Sequence, residues 1–127
     1  MPIINTDEAK AAAREIVPNE DADTTRDLVN SGQAILIDVR ELQELQRSGK
    51  AKGAVHVPLG DIEARLTDDP VGIHPDLTKD KIVILHCAGG GRSAVAGKEM
   101  LDRGYTDVRN LGGFSNWVNA GHEIEEV

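Results

Sequence analysis

The stretch "KIVILHC", residues 81 to 87, decides the fold that we predict for this chain. It is a continuous apolar run of strand length, and "AILIDV", residues 34 to 39, is a second one. Such runs suit strands that are buried on both faces of a parallel sheet, because a strand with one solvated face would alternate with polar residues. Two shorter strand candidates are "AVHVP" (54 to 58) and "DVRNL" (107 to 111).

Helical patterns stand between these strands. Thr6 precedes "DEAKAAAREI" as an N-cap precedes a helix, "TTRDLVNSG" stops at Gly32, and "RSAVAGKEMLDRG" ends at Gly104. The alternation of strands and helices predicts a layered α/β domain with a mainly parallel sheet. The turn-rich stretch "LTDDPVGIHPDLTKD" (66 to 80) is predicted to be a surface loop.

Composition restricts the classes of function. The 127 residues fit one domain, and a net charge of -8 disfavours nucleic acid and anionic membranes as partners. No apolar stretch approaches membrane-spanning length, and the N-terminal residues have neither the cationic start nor the apolar run of a secretory signal. The single cysteine cannot form an internal disulfide. We therefore expect a cytoplasmic protein, because a free thiol persists in a reducing compartment.

That cysteine, Cys87, stands where a predicted buried strand ends and a helix begins, which is where α/β sheets bind ligands. The residues "AGGG" (88 to 91) have little side-chain bulk, so their backbone can aim several N–H groups at one point. The helix N-terminus adds partial positive charge, and Arg92 adds a full one. A lone cysteine is more often a small core residue, but this combination indicates a reactive thiolate beside an anion-binding loop.

Four stretches together resemble a known family. "ILIDVRE" (35 to 41), "GAVHVPLGDI" (53 to 62), "HCAGGGRSAVAGKEMLDRGY" (86 to 105) and "NLGGFSNW" (110 to 117) are similar, in order and spacing, to the rhodanese-like (sulfurtransferase) domain. The resemblance implies a three-layer α/β/α fold with a five-stranded, mainly parallel sheet. We expect the domain over residues 30–127, with residues 1–29 as an N-terminal helical extension packed on it.

The resemblance also implies a mechanism of nucleophilic catalysis by Cys87 and Arg92. Cys87 would take a sulfur atom from thiosulfate or a persulfide donor, carry it as a persulfide, and pass it to cyanide, another thiol or a sulfur-relay protein. No organic cofactor and no metal is expected. The residues expected to bind the substrate are Ala88, Gly89, Gly90, Gly91 and Ser93.

The length of the loop bears on the choice of chemistry. "HCAGGGR" has four residues between Cys87 and Arg92, whereas related dual-specificity phosphatases and arsenate reductases have five. A smaller ring of N–H donors should fit one sulfur atom better than a tetrahedral phosphate. A phosphatase or arsenate reductase, and a sulfur-relay or binding module that needs a partner protein, stay as alternatives. With Arg92 as its only cation, the loop is expected to favour a persulfide donor over thiosulfate.

Three further residues are candidates for positions around the active-site loop. Asp38 and Arg40 lie at the end of the first predicted strand and would support the loop, or would pair with each other and lock the sheet edge to its next turn. Trp117 would line the rim of the pocket or anchor the packing of the core.

The four histidines carry weaker expectations. Alternation along its strand points the side chain of His86 to the face opposite Cys87, so we predict a packed residue rather than a catalytic base. His56, His74 and His122 are too scattered in the sequence to indicate a metal site.

Overall fold

A computed structural model describes residues 3 to 127, so the first two residues of the predicted extension over 1–29 lie outside the described residues. Its strands are β1 (Ala34–Asp38), β2 (Lys50–Ala51), β3 (Val55–His56), β4 (Ile82–Cys87), β5 (Asp107–Gly113) and β6 (Ile124–Glu125). Four of them form a parallel sheet in the order β3-β1-β4-β5. The four predicted strands are confirmed. The short strands β2 and β6 pair separately and antiparallel.

The prediction of five strands is wrong by one, because the segment beside β5 forms only a single bridge. Asn19 pairs with Asn110 there, through hydrogen bonds from the Glu20 amide to the Asn110 carbonyl (3.0 Å) and from the Asn110 amide to the Pro18 carbonyl (2.7 Å). Pro18 has no N–H group to extend the ladder, and the Asp21 side chain already caps the next helix. The pairing beside β5 therefore ends after this single bridge.

Seven helices surround the sheet among the described residues. They are α1 (Asp7–Ile16), α2 (Ala22–Asn30), α3 (Leu42–Ser48), α4 (Leu59–Asp68), α5 (Pro70–Ile73), α6 (Gly91–Asp102) and α7 (Phe114–Asn119). Thr6 caps α1 by accepting a hydrogen bond from the Ala9 amide, as predicted. The loop predicted over 66–80 is wrong in its first half. There α4 continues to Asp68, and Asp69 caps α5 with Pro70 at its first position.

Alternate residues of the central strands face two separate cores, which gives the three layers that we predicted. On one face Ile37, Leu85 and Cys87 pack with α1, α4 and α6. On the other face Leu36 and Ile84 pack with α2 and α7. No helix within residues 3 to 127 has the length and apolar character needed to cross a membrane.

Helix α1 packs closely against α6, and this contact decides what surrounds the end of β4. A Cβ atom added at Gly97 of α6 would lie 3.2 Å from both Cγ atoms of Val17. The absence of a side chain at Gly97 therefore permits the close approach of the two helices. Ala13 and Val17 are buried in the same core as Cys87. Whether residues 1–29 form a separate extension stays a prediction.

Candidate active site around Cys87

The predicted loop begins at the last residue of β4 and ends in the first turn of α6. Gly90, just before α6, has a φ of +93°, in the left-handed region that favours glycine. This turn reverses the chain so that the loop amides lie near the Cys87 sulfur. Cys87 is 1% exposed and lies at a cavity of about 340 Å³, whose other lining residues are Asp7, Lys10, Arg14, Gly89, Gly91 and Arg92.

Several N–H and O–H groups lie around the Cys87 sulfur. The Gly90 amide donates a hydrogen bond to Sγ at 2.9 Å, and the Ser93 hydroxyl lies 3.4 Å from it. Burial raises the pKa of the Cys87 thiol, but the hydroxyl and amide of Ser93 and the amides of Gly90 and Gly89 outweigh burial and hold that pKa below its ordinary value. The arrangement therefore favours a thiolate.

The Ser93 hydroxyl has one proton and two neighbours that can accept it. Its oxygen lies 2.7 Å from Asn110 Oδ1 and 3.4 Å from Cys87 Sγ, so the shorter bond to Asn110 is the stronger one while Cys87 is a neutral thiol. When Cys87 loses its proton, the hydroxyl can turn toward the sulfur, because Asn110 Oδ1 still accepts from the Gly112 amide at 2.9 Å. The hydroxyl thus adjusts to the charge on the sulfur.

Asn110 is a buried polar residue of β5 that the sequence analysis missed as part of the site. Besides accepting from Ser93 and Gly112, its side-chain amide donates to the Gly90 carbonyl at 3.0 Å. One side chain thus ties the loop, the start of α6 and the end of β5 together. The signal that could have found it is a polar residue inside a predicted buried strand.

The pair of glycines at the end of β5 gives the loop room. A Cβ atom at Gly113 would lie 2.6 Å from the Ala88 carbonyl oxygen, and one at Gly90 would lie 3.1 Å from the Cα of Gly112. The loop backbone and the end of β5 are therefore in direct contact, with no space for side chains between them. This contact explains the two glycines in "NLGGFSNW".

Arg92 points to α3, where it is bound by a carboxylate that the sequence analysis did not single out. Its two terminal nitrogens donate to the two Glu44 carboxylate oxygens, both at 2.8 Å. Glu44 also accepts from the Glu41 amide at 2.7 Å, as the second half of a capping box. Arg92 lowers the pKa of Glu44 to about 2, and Glu44 raises the pKa of Arg92. Much of the Arg92 charge is therefore neutralised.

Arg92 is the only cation of the loop itself, but helix α1 brings two more cations to the cavity. Lys10 and Arg14 both line the cavity, and the Arg14 guanidinium donates to the Gly89 carbonyl at 3.2 Å. Asp7 lies on the same helix face, three residues before Lys10. The sequence could not indicate this contact, because α1 and the loop are more than seventy residues apart.

Asp38 and Arg40 form a buried ion pair behind α3. The guanidinium contacts both carboxylate oxygens, with its shortest bond at 2.9 Å, and also donates to the Ser48 hydroxyl (2.8 Å) and the Gly49 carbonyl (3.0 Å). The geometry matches the predicted lock between the sheet edge and its next turn. Because Ser48 ends the helix that carries Glu44, the pair fixes α3, and through α3 it reaches Arg92 only indirectly.

His86 lies with this ion pair, on the face of the sheet opposite Cys87. Its ring stacks on Phe114 at a centroid distance of 5.9 Å, and Nε2 lies 3.4 Å from the Asp38 carboxylate. Neither ring nitrogen makes a hydrogen bond, and burial lowers the pKa of His86 below its ordinary value. The imidazole is therefore a packed, neutral group that does not face the Cys87 sulfur.

Trp117 lies in the second core, away from the cavity. Its indole packs on the face that holds Leu36 and Ile84, and its N–H donates to the Glu123 carbonyl at 2.8 Å. The structure therefore places it as an anchor of α7, not at the rim of the Cys87 cavity. Within residues 3 to 127 no group of histidine, cysteine and acidic side chains is arranged to hold a metal ion.

One family model matches most of the chain. The model of the Rhodanese-like domain matches residues 21–120 of the chain. Protein HIGH ARSENIC CONTENT 1, mitochondrial, of Arabidopsis thaliana is 32% identical over an alignment of 124 residues, with 91% of this chain and 70% of that protein covered.

Two solved structures are similar over most of the chain. A human single-domain sulfurtransferase has a TM-score of 0.70 and 26% identity, with 81% of this chain and 96% of that one covered. A Rhodopseudomonas palustris protein of unknown function, named as a possible tyrosine phosphatase, has a TM-score of 0.78 and 30% identity, with 92% and 91% covered.

Proposed function

The chain belongs to the rhodanese-like domain family, and from that membership we propose that it is a sulfurtransferase that carries sulfane sulfur on Cys87. The observation that carries the proposal is the position of the Cys87 sulfur, which lies against the Gly90 amide at 2.9 Å inside a six-residue loop. N–H groups that converge on a sulfur atom stabilise negative charge there. Both the thiolate and the terminal sulfur of a persulfide carry that charge.

The reaction has two displacement steps. In the first, the Cys87 thiolate attacks the outer sulfur of thiosulfate, a new S–S bond forms, and the donor's S–S bond breaks so that sulfite leaves with the electron pair. In the second, cyanide or an acceptor thiolate attacks the outer sulfur of the persulfide. Thiocyanate or a new persulfide leaves, and the Cys87 thiolate returns. A protein persulfide can replace thiosulfate in the first step, in which case a thiolate leaves.

The loop residues have separate parts in this proposal. The amides of Gly89, Gly90 and Ser93 lower the pKa of Cys87 and hold the charged sulfur. Gly91 leaves space at the cavity, because an added Cβ would meet the Lys10 side chain at 2.8 Å. Arg92 supports the anionic donor while it is bound by Glu44. Ala88 supplies no group to the cavity and sets the path of the backbone.

A second candidate, hydrolysis of phosphate esters, is favoured by two observations. One similar structure is named a possible tyrosine phosphatase, and an acidic residue, Asp7, lines the cavity, where phosphate-ester hydrolysis would need a general acid. The name of the Arabidopsis relative mentions arsenic, so arsenate reduction stays an alternative beside it. Against both stands the loop of six residues, which has one N–H donor fewer than the ring that surrounds a tetrahedral oxyanion.

The test is to supply the purified protein with thiosulfate and cyanide, and separately with an aryl phosphate. We expect thiocyanate from the first mixture, no phosphate from the second, and no product from a Cys87→Ser variant, because a serine hydroxyl is a far weaker nucleophile. Inserting one glycine between Gly89 and Gly91 should lower sulfur transfer. If the unaltered protein released phosphate from the aryl phosphate and formed no thiocyanate from thiosulfate and cyanide, the second candidate function would be the correct one.

The acceptor and the cellular compartment belong to the proposal as well. A sulfur-relay protein is a suitable acceptor, since Cys87 lines a cavity of about 340 Å³ in which the persulfide would lie. A module that works only with such a partner would take up sulfur from thiosulfate but pass none to cyanide. The cytoplasm stays the predicted compartment, although the Arabidopsis relative is mitochondrial by name.

A further inference from the structure

Helix α1 presents a charged face to the Cys87 cavity, and this face lies outside the part of the chain that the family model matches. The match begins at residue 21, whereas α1 spans Asp7–Ile16. Lys10 and Arg14 are one helical turn apart on that face, and both line the cavity together with Cys87. A property of this chain, and not of the family's loop, therefore sets the charge at the entrance.

The charges at the cavity differ in how far they are already neutralised. Arg92 is held by both oxygens of Glu44 at 2.8 Å. Arg14 donates one hydrogen bond to a neutral carbonyl, that of Gly89, at 3.2 Å. Within the described residues the Lys10 ammonium has no hydrogen bond or ion pair, although its Cδ would lie 2.8 Å from a Cβ at Gly91. Asp7 lines the same cavity, so the two cations Lys10 and Arg14 exceed the acidic side chain on that helix face by one positive charge.

This local charge contrasts with the protein as a whole, which has a net charge of -8. An acidic surface would repel an anionic donor, so the excess of Lys10 and Arg14 over Asp7 at one cavity creates a local attraction. The distance over which it acts is short, about 8 Å at physiological salt. The attraction therefore acts on a ligand that has already entered the cavity.

We propose that Lys10 and Arg14 select sulfur donors by charge, so that the cavity favours a small, doubly negative donor such as thiosulfate over a neutral one. The inference rests on the proposed function only in that the selected anion is a sulfur donor. Selection of anions by charge does not itself depend on sulfur chemistry. Lys10 acts through its charge alone. Arg14 has a second part, since its bond to Gly89 also positions the loop.

The experiment compares two reagents that alkylate the same thiolate, iodoacetate, which is an anion, and iodoacetamide, which is neutral. The ratio of their second-order rate constants at Cys87 reports charge selection, because any change in the pKa of Cys87 affects both reagents equally and cancels. We expect Lys10→Gln to lower the ratio by about fivefold, the effect of one exposed charge interaction. The difference should shrink as salt is added.

Matched variants separate charge from structure. Lys10→Arg should restore the ratio, and Arg14→Lys should keep most of it, since each retains the positive charge. Lys98→Gln removes a lysine that pairs with Asp102 on α6 and does not line the Cys87 cavity, so it should leave the ratio unchanged. The proposal would be overturned if Lys10→Gln and the unaltered protein had the same ratio of alkylation rates. It would also be overturned if Lys98→Gln lowered this ratio as much as Lys10→Gln does.

Kinetics with thiosulfate distinguish this inference from the proposed function. We expect Lys10→Gln to raise KM for thiosulfate by about fivefold while kcat stays within twofold, because the charge acts on binding and not on the displacement. If neither the unaltered protein nor any variant takes up sulfur, but Lys10→Gln still lowers the alkylation ratio, the proposed function fails and the anion selection stands. If sulfur transfer occurs with an unchanged ratio, the anion selection fails alone.

Discussion

Replacing Gly113 by alanine should disturb the active-site loop from outside it. Gly113 has a φ of -86°, which any residue adopts, so an alanine would suffer no backbone strain there. Its Cβ, however, would lie 2.6 Å from the Ala88 carbonyl oxygen, closer than the 3.0 Å that real Cβ atoms respect. The partner is backbone, so the loop itself must move by several tenths of an ångström.

The expected size of the effect follows from that geometry. Overpacking of a buried contact costs about 1–3 kcal/mol of the free energy of unfolding. The Ala88 carbonyl belongs to the same peptide group as the Gly89 amide, one of the donors that lower the pKa of Cys87. Turning that peptide away should raise this pKa and slow sulfur transfer by about tenfold or more, as small displacements in active sites do.

The assay combines urea unfolding with the rate of thiocyanate formation, and it has an internal control. Gly60 lies in α4, and a Cβ atom there would meet nothing within 4 Å. Gly60→Ala should therefore be neutral or stabilise the protein by up to about 1 kcal/mol, with the transfer rate unchanged. The reasoning is refuted if Gly113→Ala has the same urea midpoint and the same rate as Gly60→Ala.

Three further predictions concern the charges around the loop. Ser93→Ala should raise the pKa of Cys87, because the thiolate loses a hydrogen-bond donor while the Asn110 side chain keeps its bond from the Gly112 amide. The pH profile of alkylation by iodoacetamide should shift upward. An unshifted profile would assign the whole lowering of the pKa to the backbone amides. Arg92→Ala should shift the same profile upward and weaken the use of thiosulfate, because the uncompensated Glu44 carboxylate then repels anions. An unchanged KM for thiosulfate would contradict this. Glu44→Gln should destabilise the protein at neutral pH, but the loss should vanish as the pH falls from 4.5 toward 2. The folded-state pKa of Glu44 is about 2, below the ordinary 4.5, so its contribution is present above that range and lost within it; a difference in urea midpoint that stays constant down to pH 2 would refute the ion pair's contribution.

The strands were predictable because burial on both faces leaves a continuous apolar run. Both β1 and β4 lie where "AILIDV" and "KIVILHC" indicate them. Helix α3 left no comparable mark, because only Leu45 of its seven residues is buried. The resemblance to the family implied a fifth strand. Pro18 limits this strand to the single bridge between Asn19 and Asn110, and this effect depends on the position of Pro18 beside β5. Patterns of burial could be predicted, and pairing at the sheet edge could not.

The loop could be predicted from one stretch of sequence, because Cys87 to Ser93 are contiguous and their geometry is local. Its surroundings could not, because they come from distant elements. Glu44 is 48 residues from Arg92, and Asn110 is 17 from Ser93. Lys10 and Arg14 lie near the loop only because α1 packs against α6. What stayed hidden was therefore the set of contacts that decides the charge of the cavity.

The most direct measurement of the central claim is the mass of the Cys87 peptide after the protein has been incubated with thiosulfate and digested without reductant. The account predicts that this peptide gains the mass of one sulfur atom and loses it when cyanide is added, while the Cys87→Ser protein gains nothing. A Cys87 peptide of unchanged mass, from protein whose thiol still reacts with iodoacetamide, would contradict a sulfur-carrying role for this site.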